Sequence, residues 1–489
     1  MSANIRIRCA RASCLWLCII AFLALISGCN SIRPLSRANP VDAPAHAAIR
    51  APRHGAILGA PVAESSAIVQ AQFVDDAPPT LPPAGGLTFN EAVTGTLIAD
   101  PRIRAGFELI MQARGDLVTS SLRPNPSVLV DGLMLPTRTV TPAQTSGPTQ
   151  TDTFLSFPID WFLFGKRAAA MASARIGLRQ SESDYADLIR QRVLTCAIAF
   201  YDLVEAKELH HLAQLDLANL KKVEAITDKA FQAGNRTKVD LQRVRLDVLK
   251  SEQSVRDTAS TVEIAKAKLR ALLGRADFDP AFDVSANLDT PLTGVLLAVD
   301  QAYALAQDSR PDIESLRHQV AKAEADIVVE DRKRYPEVTP GFGYTRQFQG
   351  PALGQINADT WNVNLIATVP LFNRNQGNRL KAQSVAAQMR FNLDAALVDL
   401  RAEITQVYQE LQTAEKNAQA IAQSQSKSAK DVLDAITQSY EIVGGRTYVE
   451  VLEAQRTFRD TNRAYISSRA NYWRAVYRFS AAIGKQIAP

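Results

Sequence analysis

"YEIVGGRTYVEVLEAQR", residues 440–456, and "FQAGNRTKVDLQRVR", residues 231–245, carry one interruption twice. In each, a glycine and an Arg-Thr pair break a sequence otherwise rich in alanine, glutamine and leucine. Glycine supplies backbone angles that other residues resist, so each string predicts a sharp reversal between two helices. Arg236 and Thr237, like Arg446 and Thr447, are placed to satisfy helix ends there.

The repetition extends over the whole chain. Pro124/Pro336, Pro158/Pro370, Gly165/Gly377 and Arg167/Arg379 pair at an offset of 212, and Gly234/Gly444, Arg236/Arg446, Thr237/Thr447, Val239/Val449 and Gly274/Gly484 at 210. Ordered matches at a nearly constant offset mark an internal duplication. The organisation that follows is a signal peptide at 1–28, a tether at 29–86, a first repeat at 87–274, a linker at 275–295, a second repeat at 296–484 and a tail at 485–489.

Each repeat predicts a helix, two extended segments and two more helices. In the first, a helix over 87–122 is kinked at Asp100-Pro101. Residues 123–136 and 151–163 are extended around a loop, a helix of about 69 residues follows Gly165, and a helix of about 35 reaches Gly274. In the second, a helix covers 296–334, extended segments cover 337–348 and 360–372, and helices cover 377–443 and 448–483.

Alternation sets the surroundings of the extended segments, since successive side chains point to opposite faces. Trp361, Val363, Leu365, Ala367 and Val369 oppose Asn362, Asn364, Ile366 and Thr368. Leu155, Phe157, Ile159 and Trp161 oppose Phe154, Ser156, Pro158 and Asp160, and Val338, Pro340, Phe342 and Tyr344 oppose Thr339, Gly341, Gly343 and Thr345. Such faces suit a barrel between lipid and water, and equally a small sandwich with one buried face. Four strands cannot close a barrel, and open edges are not tolerated in lipid, so a spanning sheet needs several chains; three would give twelve strands.

The helices are too polar for a membrane and too apolar for full solvation, which suits a hollow, water-lined tube. Two shorter pieces of about 35 residues, end to end, would match one helix of nearly 70.

A basic start with Arg6, Arg8 and Arg11, an apolar run from Cys14 to Ile26 and the ending "SGC" form a signal-peptide pattern. Ile26-Ser27-Gly28-Cys29 resembles a bacterial lipobox, which makes Cys29 the lipidated first residue; a plain signal peptide with incidental cysteines is the alternative. Those three arginines account for +3 of the net charge of +5, leaving +2 and no footprint of a nucleic-acid binder. Cys196 is then the one cysteine outside the leader and the lipid site, a small packing residue in "RVLTCAIAFYDLV". No phosphate loop, hydrolase elbow, zinc-protease or dinucleotide motif occurs, and the histidines are scattered. The chain is therefore not expected to be an enzyme, and no metal or cofactor is expected beyond a covalent lipid.

With these motifs in view, residues 87–484 resemble the TolC-like outer-membrane efflux protein family. "VGGRTYVEVLEAQR", "VPLFNRNQGNR" and "FPIDWFLFGKR" carry the likeness, and "SLRPNPSVLV" with "GKRAAAMASAR" leans towards its heavy-metal (CzcC-like) or nodulation-type lipoprotein branch. The resemblance implies a mainly α fold with membrane β: a homotrimer with a twelve-stranded β-barrel in the outer membrane, continued by a long periplasmic α-helical barrel. It implies a passive exit duct for heavy-metal cations or drugs, joined through a periplasmic adaptor (membrane fusion) protein to an inner-membrane pump of the proton-coupled RND type. Gly234, Arg236, Thr237, Gly444, Arg446 and Thr447 would meet the adaptor, or serve only as helix caps. Asp240, Glu450 and Glu453 would line the periplasmic entrance, or form only a solvated charged face; Arg243 stands opposite Glu453 in the first repeat, a departure from a complete double acidic ring. A type I secretion duct and a periplasmic adaptor or structural coiled-coil lipoprotein are the competing readings.

Overall fold

The computed structural model describes residues 86–133, 149–275, 282–286, 288, 297–349, 354–421, 428, 431–432, 435–436 and 448–485. Helices α1 (Phe89–Ala99) and α2 (Pro101–Ser121) lead into strands β1 (Ser127–Leu133) and β2 (Thr149–Ser156). A helical turn, α3 (Asp160–Leu163), opens the long helix α4 (Lys166–Gln232), and α5 (Lys238–Leu272) follows. The order recurs as α6 (Val299–Ser309), α7 (Pro311–Arg332), β3 (Glu337–Phe348), β4 (Ala358–Thr368), α8 (Gln376–Ala420) and α9 (Tyr448–Ile483). With no proline and abundant alanine, α4 runs unbroken for 67 residues, about 100 Å at 1.5 Å per residue.

Three expectations need correction. The helix placed over 296–334 is two helices, broken at Arg310, whose backbone is extended at φ −80° and ψ 122°. A residue before proline is pushed out of the helical region, so Pro311 breaks this segment as Pro101 breaks the first. Consequently the pieces lying along α4 are three, α1 with 11 residues, α2 with 21 and α5 with 35, where two of about 35 were expected.

The third concerns the segment 151–163. The Phe157 and Ile159 N–H groups still donate to the Pro340 and Val338 carbonyls at 2.9 Å, but Asp160–Leu163 is helical. Pro158 brings no N–H, and β1 has already ended where Ser127 pairs with Ser156. The Trp161 indole N–H donates back to the Pro158 carbonyl at 2.8 Å, so Trp161 closes the turn instead of extending the strand face.

Each proline break carries a buried charge of opposite sign. Asp100, 1% exposed, caps α2 by accepting from the Arg102 N–H and pairs with Arg192 of α4 at 2.6 Å. Arg310 is held by Glu403 of α8 at 2.7 Å and by Asp312 at 2.6 Å, and donates to the Ala482 carbonyl at 3.2 Å. Burial pushes the Asp312 carboxyl up, but bonding and charge from Arg310, with Arg190, outweigh it and hold the group below the usual carboxylate range. Truncating one partner of such a pair leaves a charge uncompensated.

Both breaks receive a helix end. Gly274, after α5, has φ +65°, and a Cβ there would lie 2.5 Å from the Ala99 carbonyl oxygen; Gly484, after α9, has φ +77° and would meet the Ser309 oxygen at 2.9 Å. Between the repeats, α4 runs against α7 along a polar seam in which Ser173 bonds Asp326, Ser315 bonds Asp184, and Ser183 meets His318 at 3.2 Å. Cys196 is fully buried, and its sulfur accepts from Thr96 at 3.3 Å, as a packing residue should.

The four strands form one antiparallel sheet in the order β1-β2-β3-β4. The register joins Val128 to Leu155, Leu155 to Phe342, Phe342 to Val363, Tyr344 to Trp361 and Pro340 to Leu365, which gathers one apolar face. That face is bare in the single chain: Val128 is 66% exposed and Val363 84%. The opposite face carries Asp131, Asp152, Gly341, Gly343, Thr345, Asn362 and Asn364.

Gly234 offers a control for the cap glycines, because it too has positive φ (+76°) yet no atom within 4 Å of an added Cβ. Gly234→Ala should cost about 1 kcal/mol from backbone strain alone, whereas Gly274→Ala should cost at least about 2 kcal/mol more, since a backbone atom must move. Chemical denaturation of both variants in detergent measures the difference.

Candidate functional site

The reversal between α4 and α5 is built residue by residue. The Asn235 N–H reaches the Ala230 carbonyl and the Gly234 N–H the Phe231 carbonyl, both at 2.9 Å, a glycine-terminated helix cap. Thr237 then caps α5: its hydroxyl accepts from the Asp240 N–H at 3.2 Å, and the Asp240 carboxylate accepts from the Thr237 hydroxyl at 2.7 Å and its N–H at 3.3 Å. This reciprocal box satisfies two donors at the helix start and leaves Asp240 engaged with its own turn.

Phe231 and Val239 flank the turn, 38% and 58% exposed, with Gly234 and Thr237 exposed and Arg236 half-buried. The surface presented there is a compact mixture of apolar and cationic groups. Gly444, Arg446 and Thr447 of the second turn lie outside the described residues, as does Cys29.

The two repeats meet just above the turn. Val223 of α4, Val244 of α5 and Val451 of α9 are buried together. Asp240 precedes Val244 by one turn and Glu450 directly precedes Val451, so the helix starts carrying both carboxylates are brought to the same end of α4. Glu450 is half-buried and Glu453 exposed. Arg243 is exposed and makes no ion pair among the described residues.

The sheet contributes a second polar set that sequence reasoning missed. Asp131 stands opposite Asp152, Asp152 opposite Thr345 and Thr345 opposite Thr360, one row across all four strands. Thr345 donates to Asp152 and accepts from the Asn362 amide at 2.6 Å. Like charges facing each other across strands are unfavourable, so this row belongs where water and cations reach it. The alternation that marks β3 and β4 would have found both aspartates, had β1 been aligned with β2.

Among the described residues, no group of three or more His, Cys, Asp or Glu side chains stands ready to hold a metal, and no described helix is long and apolar enough to cross a membrane. His210 is occupied by Thr258 at 3.0 Å and Gln214 at 2.8 Å.

Comparison with known proteins follows this geometry. The sequence matches the family described as "Outer membrane efflux protein" over residues 100–275 and 302–485. The cobalt-zinc-cadmium resistance protein CzcC of Cupriavidus metallidurans is 24% identical over 411 residues, covering 82% of this chain and 91% of that protein. Solved structures of CusC align with a TM-score of 0.68 and 18% identity over 81% of this chain and 92% of theirs. The Campylobacter jejuni CmeC outer membrane channel aligns with a TM-score of 0.68 and 18% identity over 81% of this chain and 85% of its own.

Removing the cap at the turn isolates its structural share. Thr237→Ala should weaken the first turn of α5 by about 1 kcal/mol, read as faster amide hydrogen exchange over residues 238–242 with the middle of α5 unchanged.

Proposed function

Because the chain belongs to the outer membrane efflux protein family, we propose that it is the passive exit duct of a tripartite efflux assembly, working as a homotrimer. The observation that carries this reading is the sheet: an antiparallel ribbon whose outer strands β1 and β4 pair on one side only among the described residues, with one apolar face and an acidic, amide-rich face opposite. Such a sheet is tolerated in lipid only when closed, and three copies supply twelve strands. Below it, exposed apolar residues recur at helical spacing, Val239, Leu246 and Leu249 on α5 and Phe391 and Val398 on α8. A seven-residue spacing places side chains on one helix face, which suits side-by-side packing of neighbouring copies into a tube.

In this reading the turn at Gly234, Arg236 and Thr237, with the corresponding Gly444, Arg446 and Thr447, points into the periplasm and docks the adaptor. Exposed Phe231 and Val239 supply its apolar anchors. Energy enters through an inner-membrane pump of the proton-coupled RND type, since a duct only opens and closes. Glu450 and Glu453, repeated three times, narrow and charge the entrance. Asp240 adds its charge there while one of its carboxylate oxygens shapes the turn by accepting from Thr237. Cys29 carries the lipid that adds a second hold on the outer membrane. Heavy-metal cations are the favoured cargo, supported by the likeness to CzcC, a cobalt-zinc-cadmium resistance protein, and by the acidic lining.

The test is conductance of the purified protein in a planar bilayer. Discrete channels selective for cations are expected, and Glu450→Gln with Glu453→Gln should reduce that selectivity several-fold while leaving the particle assembled. Insertion without any conductance would overturn the duct reading. Separately, growth with radioactive palmitate should label the wild type and leave Cys29→Ser unlabelled.

A further inference from the structure

Beyond the carboxylates at its start, α9 packs on α4 at a level where polar groups are buried without full compensation. Asp216 of α4 accepts a hydrogen bond from Ser251 of α5 at 3.3 Å and lies 3.9 Å from an Arg459 Nη1 of α9. Beside it is a cavity of about 20 Å³ whose walls include Asp216, Asn219, Gln455, Phe458 and Arg459. Gln455 is only 7% exposed, and its Oε1 has no hydrogen-bond partner among the described residues. A buried acceptor in that position calls for a donor.

The charges around it are committed elsewhere. Arg459 also pairs with Asp460 at 3.3 Å. On α5, Asp247 lies 3.6 Å from Lys250, and Glu252 lies 3.0 Å from Lys221 of α4. A carboxylic acid at Asp216 would be the donor nearest in kind: neutral, buried and bordering the same cavity as Gln455.

We propose that Asp216 positions the first turns of α9 against α4, and that this contact tightens when its carboxyl takes up a proton and loosens when the proton leaves. The consequence for transport rests on the duct reading, because α9 carries Glu450 and Glu453; the contact itself does not. Burial drives the Asp216 carboxyl above the usual range; Arg459 and the Ser251 hydroxyl pull it down without cancelling that rise, and Asp460 adds to it. The packed state therefore holds the proton more tightly than a solvated aspartate does. Its packing gains as pH falls through the raised value, in full below about pH 4, the ordinary aspartate range, and loses that gain above it.

Hydrogen exchange on the full-length protein in detergent tests the contact without requiring a conducting channel. After correction for intrinsic rates, protection over residues 451–463 should rise as the pH is lowered from about 8 to about 4, because the packed state binds the proton more tightly than a solvated aspartate does. Asp216→Asn, whose amide donates without titrating, should keep the high protection at both values. Gln455→Met, which removes the acceptor and keeps the volume, should flatten the profile at the low level. A flat wild-type profile, or an Asp216→Asn variant that retains the wild-type slope, overturns the proposal. In bilayers the open probability should fall in acid for the wild type and not for Asp216→Asn. Retained exchange behaviour in a protein that never conducts would instead count against the duct and leave the latch standing.

Discussion

The sheet edges govern this structure. A strand presents a row of N–H and C=O groups on each side, and in hydrocarbon every one of them must be paired within protein. Among the described residues, β2 and β3 are paired on both sides, while β1 and β4 are paired on one. The apolar face formed by Val128, Leu155, Phe342, Trp361 and Val363 is at home in lipid, yet its edges are not. Closure by further copies of the chain satisfies both demands together, and the helical part must then be built to fit side by side in the same number of copies.

Duplication meets that requirement economically. Each repeat provides one long helix and a stacked pair beside it, joined at a proline break. The breaks use opposite charges: Asp100 against Arg192 in one, Arg310 against Glu403 in the other. Gly274 and Gly484 bring the two helix ends onto the backbone of Ala99 and Ser309, so the same junction is made twice with different side chains. This conserves the geometry of the tube wall while letting the two halves differ at the polar seam between α4 and α7 and at the tip.

Much of the architecture was legible because its signals are local. The paired Gly and Arg-Thr strings located the turn, the absence of proline gave α4 its length, and alternation placed β3 and β4. What escaped was set by contacts between distant segments. The Arg310-Pro311 break was readable from the equivalent Asp100-Pro101 of the first repeat, but the expected helix over 296–334 masked it. The end of the extended segment before α3 depends on where β1 stops, which no local pattern records. The Asp131–Asp152–Thr345–Thr360 row appears only once all three strand pairings are aligned. At the tip, Asp240, read from the sequence as an entrance carboxylate, also gives one oxygen to the Thr237 cap, a role that the spacing Thr-x-x-Asp encodes in plain view.

The measurement that bears most directly on shared closure of the sheet is single-particle imaging of the mature protein extracted from outer membranes in detergent. The account predicts a three-fold particle in which β4 of one copy pairs with β1 of the next above a hollow stalk about 100 Å long. A monomer whose β1 and β4 edges are covered by its own chain, or an assembly with a solid helical rod in place of a lumen, would contradict it.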